Sequence, residues 1–277
     1  MKVTDINGYA LLHNGIKMPY IGLGVYKTKD GKEVQDAVTY ALDAGYRHID
    51  TAAAYFNETG VGQAIRRSNT PREDIFLTSK IWNSDQGYDS TIRAFNHSLQ
   101  RLGTSYLDLY LQHWPVKGKY KETWKAMETL YNEGRIKAIG VCNFLQFQLE
   151  DLMETATIVP MVNQVEFHPF LVQQSLLDFC NRHDIQFESW FPLMHGFAFQ
   201  VPAFREMALR YNVTVAQLLL RWNLQKGVVI IPKSIRRDRI ISNSHLFHFN
   251  ILPTDMQKLD DMDEGLRMGP NPADFNF

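Results

Sequence analysis

Short apolar runs alternate with helical patterns eight times along this chain, and that alternation restricts the fold more than any other feature. The runs lie at 21–24, 47–50, 75–79, 107–112, 137–141, 162–166, 186–190 and 228–231. Helical periodicity follows each, near 31–44, 58–67, 88–101, 122–133, 146–156, 172–182, 201–223 (broken near Asn212-Val213-Thr214) and 238–244. A helix between two strands returns the chain to the same end of a sheet, so repeated alternation builds parallel sheets. Eight units predict an α/β fold, a closed (β/α)8 TIM barrel, although the spacing also admits an open doubly wound sheet. Ahead of the first run, Tyr9 to Leu12 and Ile16 to Met18 flank His13-Asn14-Gly15, the turn signal of a β-hairpin that would cap the barrel bottom. No low-complexity tract, Pro- or Ser-rich linker or repeated word interrupts the pattern, so residues 1–277 are expected to form one domain. The tail 265–277 opens Gly265-Leu266-Arg267-Met268-Gly269-Pro270-Asn271-Pro272, which cannot be helical and is expected to wrap over the surface near the barrel mouth.

Composition narrows the partners. Lys plus Arg is 29 and Asp plus Glu is 30, a formal net charge of −1, which gives no reason to expect nucleic acid or an anionic membrane. A small neutral or anionic substrate fits better. The only cysteines, Cys142 and Cys180, are too few for a disulfide scaffold, so a reducing cytoplasm is the simplest setting. The N-terminal residues lack the apolar stretch of a secretory signal, and no run approaches the roughly 20 apolar residues that span a bilayer. A cytoplasmic, monomeric protein is expected.

Three of the runs end in residues that carry chemistry. Asp50 closes Tyr46-Arg47-His48-Ile49-Asp50 with Tyr55 just beyond; Lys80 follows Ile75-Phe76-Leu77-Thr78-Ser79; His113 follows the run from Leu107 to Gln112. In a parallel barrel all strand C-termini open on one mouth, where such barrels carry their chemistry. Taken singly, each residue has an ordinary structural explanation, since an Asp at a strand end caps the next helix and a loop Tyr or His packs. At successive strand ends, however, a carboxylate, a phenol, an amine and an imidazole would meet in one place.

The words around them, Gly45-Tyr46-Arg47-His48-Ile49-Asp50-Thr51-Ala52 with Tyr55, Thr78-Ser79-Lys80-Ile81-Trp82 and Gln112-His113-Trp114-Pro115, occur in order. This set resembles the aldo-keto reductases, NADPH-dependent carbonyl reductases. The short loop after His113 and the ending Gly269 to Phe275 look most like the microbial and protozoal members that reduce methylglyoxal, diketo-sugar acids or prostaglandin H2. The resemblance implies a (β/α)8 barrel with Asp50, Tyr55, Lys80 and His113 as its catalytic set. Carbonyl reduction needs hydride at the carbon and a proton at the oxygen. Tyr55 would supply the proton; a free phenol titrates near about 10, and the Lys80 ammonium would lower that value. Asp50 would keep Lys80 charged and oriented despite desolvation, and His113 would donate a hydrogen bond to the developing oxyanion. Two rivals stay open: a redox-sensing or structural barrel that binds NADPH with little turnover, against which the intact set of four argues, and a barrel isomerase or aldolase using Lys80 as a Schiff-base amine.

No G-x-G-x-x-G fingerprint is present, because Gly22-Leu23-Gly24 and Gly60-Val61-Gly62 lack the third glycine. By the same resemblance the nicotinamide lies across the barrel mouth, held at its carboxamide by Cys142, Asn143 and Gln164 and stacked on Trp190. Lys233, Ser234, Ile235, Arg236 and Arg239 match the positions around the adenosine 2′-phosphate, and Asn243 the adenine amine. Arginine forks and a helix N-terminus both suit phosphate, so NADPH is expected over NADH. The segment from Gly196 to Val201 would cover the pyrophosphate with backbone amides. Three departures from the commoner family pattern bear on cofactor affinity: Cys142 where a serine is usual, Trp190-Phe191 for Tyr-Ser, and Ser242 for a glutamate.

Tyr26, Trp82, Trp114, Met268 and Phe275 would line the substrate side, and the short loop Pro115 to Tyr120 with the short tail implies an open, permissive pocket for small carbonyl compounds. His245 and His248 would share a face if helical, but no third ligand stands nearby and no metal is expected. Cys180 reads as a core residue.

Overall fold

The computed structural model describes residues 3–274. Strands β1 (Tyr9–Leu11) and β2 (Lys17–Pro19) pair antiparallel with Ala10 opposite Met18. The Leu12 amide donates to Ile16 O at 2.9 Å across the three-residue loop, and Gly15 takes the left-handed φ of 85° that ends such a turn. Ala10, Leu12 and Met18 are buried. Beside them, His13 Nε2 donates to Val159 O and Asn14 Nδ2 to Lys137 O, both just ahead of later barrel strands. The hairpin therefore caps the barrel bottom.

Eight strands follow: β3 (Leu23–Gly24), β4 (His48–Asp50), β5 (Phe76–Ile81), β6 (Leu109–Gln112), β7 (Ile139–Cys142), β8 (Val162–Glu166), β9 (Gln186–Trp190) and β10 (Val229–Ile230). Each pairs parallel with the next. Parallel bridges from Ile21 to Ile230 and from Gly24 to Lys233 join the last strand to the first. The sheet is thus a closed barrel, not the open doubly wound alternative. Closure depends on Gly24, where a Cβ would lie 2.7 Å from Ile231 O. All six residues of β5 are buried, as expected when helices cover the outer face and side chains fill the interior.

The outer layer comprises α1 (Lys32–Asp43), α2 (Glu58–Arg67), α3 (Tyr88–Leu102), α4 (Tyr120–Asn132), α5 (Gln146–Met153), α6 (Gln174–Arg182), α7 (Pro202–Arg210), α8 (Val215–Gln225), α9 (Arg237–Ser244) and α10 (Pro253–Asp260). In α1 the buried residues Val34, Ala37, Val38 and Ala41 recur at helical spacing, one apolar stripe against the sheet. The break expected near 212–214 separates α7 from α8: Asn212 has φ 53°, and Thr214 Oγ1 accepts the Gln217 amide at 3.2 Å as an N-cap. Helix α10 was not predicted; of the residues it turns inward only Met256 and Leu259 are apolar, too few for a readable stripe. His245 is the C-cap of α9 and His248 lies beyond it, so the shared helical face considered for this pair does not form. No helix of the described residues is long and apolar enough to cross a membrane.

Candidate active site

A cavity of about 1290 Å³ opens at the strand C-termini, bounded by Gly24, Asp50, His113, Cys142, Gln164 and Trp190 from six different strands or the turns just after them. Asp50 ends β4, and the chain then makes a single turn of 3-10 helix, Ala53–Tyr55, which returns the phenol over the mouth. Lys80 does not line the cavity. It lies fully buried beneath, with Nζ 2.6 and 2.7 Å from the two Asp50 oxygens and 3.0 Å from Thr51 O. The same nitrogen is 5.2 Å from the centre of the Tyr55 ring. His113 stands edge-on to Tyr55, ring centres 5.6 Å apart, and edge-on to Trp82 at 5.2 Å. The four residues singled out from strand ends do converge.

Their electrostatics follow from burial and mutual charge. Burial pulls the Lys80 ammonium toward neutrality, but Asp50, then Tyr55 and Cys142, outweigh it, and the pKa lies above the ordinary lysine value. Burial likewise pushes the Tyr55 phenol up; Lys80 pulls it down, and the net is above a free phenol. The lowered phenol pKa expected from sequence is therefore not found, because desolvation exceeds the ammonium's effect. Burial and then the Lys80 charge hold His113 well below the usual histidine range, so its imidazole is neutral at pH 7.

A second polar layer lies alongside. Gln164 Nε2 donates to Asp50 Oδ2 and to Glu188 Oε2, both at 2.9 Å, and its oxygen faces the Cys142 thiol at 3.7 Å. Asn143 Nδ2 donates to His113 O at 3.0 Å, and its oxygen accepts the Trp190 indole N–H at 2.8 Å. Both amides expected to hold a carboxamide thus have their N–H groups engaged within the protein. Each still offers a lone pair on its oxygen, which suits the NH2 end of a carboxamide and not its carbonyl. Glu188 is fully buried with no cation in hydrogen-bond range; His48 Nε2 is 3.8 Å away. Burial and the Asp50 charge push Glu188 up to about 8, while burial and Lys80 push His48 down to about 3.

The basic turn forms the far wall of the same cavity, with Lys233, Ser234, Ile235, Arg236, Arg239 and Asn243 all contributing. Lys233, Arg236 and Arg239 are exposed, whereas Ser234 is buried and its hydroxyl accepts the Arg236 amide at 3.1 Å. Arg236 is paired with Asp238. Opposite, residues 194–200 form a 3-10 segment in which His195 and Gly196 adopt left-handed φ values of 51° and 89°. Tyr26, Trp82, Trp114 and Met268, the residues expected at the substrate, line the mouth, with the Tyr26 ring 5.1 Å from that of Tyr55. Phe275 lies outside the described residues.

Sequence reasoning missed several lining residues, among them Lys27, Phe56, Leu193 and His195. Lys27 follows β3, so the strand-end rule could have found it. Phe56 is 86% exposed beside Tyr55 with φ 55°, a position that only the three-dimensional structure distinguishes.

Comparison with known proteins agrees with this geometry. The chain is 51% identical over 274 residues to a glyoxal reductase of Bacillus subtilis, covering 99% of both chains. It is 46% identical to the 9,11-endoperoxide prostaglandin H2 reductase of Trypanosoma cruzi, covering 95% of this chain and 94% of that one. A Gox0644 mutant solved in complex with NADPH superposes with a TM-score of 0.93 at 42% identity, covering 98% of this chain and 99% of that one. The aldo/keto reductase family matches residues 20–264, and the chain belongs to that family.

Proposed function

We propose that this protein reduces aldehydes and ketones with NADPH, Tyr55 delivering the proton to the carbonyl oxygen. The observation that carries this reading is the buried Lys80, bound by both Asp50 oxygens and set beside a phenol that faces the cavity. When bound, NADPH supplies the hydride. The chain's own residues do the rest: Trp190, fixed through Asn143, offers a ring on which a nicotinamide can lie, and the Asn143 and Gln164 oxygens suit the amide NH2 of its carboxamide. Neutral His113 and Tyr55 present donors to the substrate oxygen. As negative charge grows there, the Tyr55 proton moves to it, and the resulting phenolate is stabilised by the Lys80 ammonium. Lys80 held protonated is a poor amine nucleophile, which speaks against the Schiff-base rival.

At the far end, Lys233, Arg236 and Arg239 support NADPH over NADH, with Ser234 and Asn243 completing the adenosine side and Ile235 an apolar edge. Tyr26, Trp82, Trp114 and Met268 hold the substrate by shape, and Phe275 belongs to the same proposal. We place the whole of 1–277 in one functional unit, monomeric, cytoplasmic and without a nucleic-acid partner, a placement supported by two buried free cysteines and a net charge of −1. The test is a panel of glyoxal, methylglyoxal, phenylglyoxal, nitrobenzaldehyde, diketogluconate and prostaglandin H2 followed by NADPH absorbance. Consumption with none of them overturns the proposal.

A further inference from the structure

Between anchors at Leu266, whose amide donates to Phe170 O at 2.9 Å, and Pro272, whose carbonyl accepts from Gln148 Nε2 at 3.2 Å, the tail is held at the mouth by a buried carboxylate. Glu166, at the end of β8, is 1% exposed. Its Oε1 accepts the Met268 amide at 2.6 Å and the His168 ring at 3.1 Å, and its Oε2 accepts the Gly269 amide at 3.1 Å. Arg267 Nη2 donates to Gln173 Oε1 at 2.8 Å, and Gln173 returns its Nε2 to Glu166 O at 2.6 Å. Three tail donors, Arg267 (through Gln173), Met268 and Gly269, therefore pin three consecutive residues to one strand end. Two of the residues so pinned, Met268 and Gly269, with the following Pro270, form part of the cavity wall shared with Tyr55. Gly269 also rests on the cofactor platform: a Cβ there would lie 2.5 Å from Trp190 Cη2 and 3.3 Å from Glu166 Oε2. Only glycine lets the tail seat on the indole and the carboxylate together.

We propose that Glu166 is a positioning residue for substrate selection, fixing Met268 to Pro270 as a wall that rests on Trp190 through Gly269. The inference builds on the proposed carbonyl reduction and deepens it. Burial of Glu166 favours its neutral acid, but the His168, Met268 and Gly269 hydrogen bonds outweigh this and its pKa is lowered, so the carboxylate acts as an acceptor only. Large carbonyl substrates that reach the wall depend on it; two- and three-carbon dicarbonyls, held at Tyr55 and His113, do not.

The experiment compares 2-naphthaldehyde with methylglyoxal in wild type, Glu166→Ala, Glu166→Gln and Gly269→Ala. Glu166→Ala should lower the ratio of kcat/KM values, naphthaldehyde over methylglyoxal, by about tenfold, through KM and with methylglyoxal kcat retained. Glu166→Gln, which keeps one acceptor oxygen, should recover part of the ratio, and Gly269→Ala, which keeps the carboxylate but crowds the tail off Trp190 and Glu166, should lower it. Equal losses for both substrates, or a ratio unmoved in both Glu166→Ala and Gly269→Ala, overturns the inference. Hydrogen exchange at the Met268 and Gly269 amides reads the clamp without turnover: faster exchange in Glu166→Ala is expected, and unchanged exchange overturns it. Absence of turnover in wild type with altered exchange in the variant sinks the proposed function instead.

Discussion

Arg236 and Asp238, two residues apart at the start of α9, form a forked ion pair: Nε to Oδ1 at 3.1 Å and Nη2 to Oδ2 at 2.9 Å. The guanidinium that the sequence assigned to a phosphate is thus already held by a carboxylate of its own turn. Binding a 2′-phosphate there means exchanging one anion for another. Asp238→Asn should therefore tighten NADPH by about two- to fivefold, the range for releasing an exposed pair, while leaving NADH unchanged. Dissociation constants from tryptophan quenching decide it, and equal changes for both cofactors would show that Arg236 does not meet the phosphate.

Arg239 lines the same wall without an acidic partner among the described residues. Arg239→Ala should weaken NADPH by roughly tenfold to a hundredfold, as for loss of a charged hydrogen bond, and NADH hardly at all. Raising salt should shrink the preference, because exposed charges are screened. A salt-independent preference would place the discrimination elsewhere.

Tyr55→Phe removes the proton donor and leaves the platform of Trp190, Asn143 and Gln164 intact. We expect NADPH affinity to hold while kcat falls by about 10²–10⁴. Single-turnover rates on methylglyoxal provide the measurement; a loss under about tenfold would require another acid.

The buried layer of His48, His113 and Glu188 predicts how stability varies with pH. His48, ordinary value 6.5, is pushed to about 3, and His113 shifts the same way, so the folded state lacks two protons that the unfolded chain binds below about 6.5. Glu188, ordinary value 4.5, is pushed to about 8, so between these values the folded state holds one proton that the unfolded chain releases. Below pH 6.5 the two histidines outweigh Glu188, so stability from these groups should fall as the pH is lowered. Glu188→Gln removes the opposing group. Its loss with acid should be steeper than that of the wild type, and its stability should cease to fall with rising pH between about 6.5 and 8. Urea unfolding across this range tests the assignment; parallel curves would mean that native Glu188 is ionised.

Those three groups illustrate what the sequence could and could not disclose. Asp50, Lys80 and His113 were legible because strand direction alone sends them to one mouth. Most of the helices were legible because their buried faces repeat every three to four residues. Glu166 and Glu188 were not, since a carboxylate inside an apolar strand word looks like a solvated one until its neighbours on other strands are known. Lys80 was placed correctly but one layer too high, because strand position does not tell how deep a long side chain folds back. Asn143 and Gln164 were legible as positions and not as chemistry: their partners, Trp190 and Glu188, arrive from distant parts of the chain. Helix α10 escaped because only Met256 and Leu259 give it an apolar face, while its buried Asp255 reads as a solvated residue.

The seam between Ile21 and Ile230 brings together nearly the two ends of the chain. On a ribosome, β3 to β9 can pair in order of synthesis, but the ring stays open until β10 emerges. Until then β3 and β9 present bare edges with unpaired amides and carbonyls, the kind of surface on which a second chain can add. A polypeptide halted before Val229 would carry the hairpin cap, the Asp50–Lys80 pair and most of the interior, yet remain an unfinished cylinder prone to sticking to others. The last short strand, two residues long, closes the ring and removes both edges.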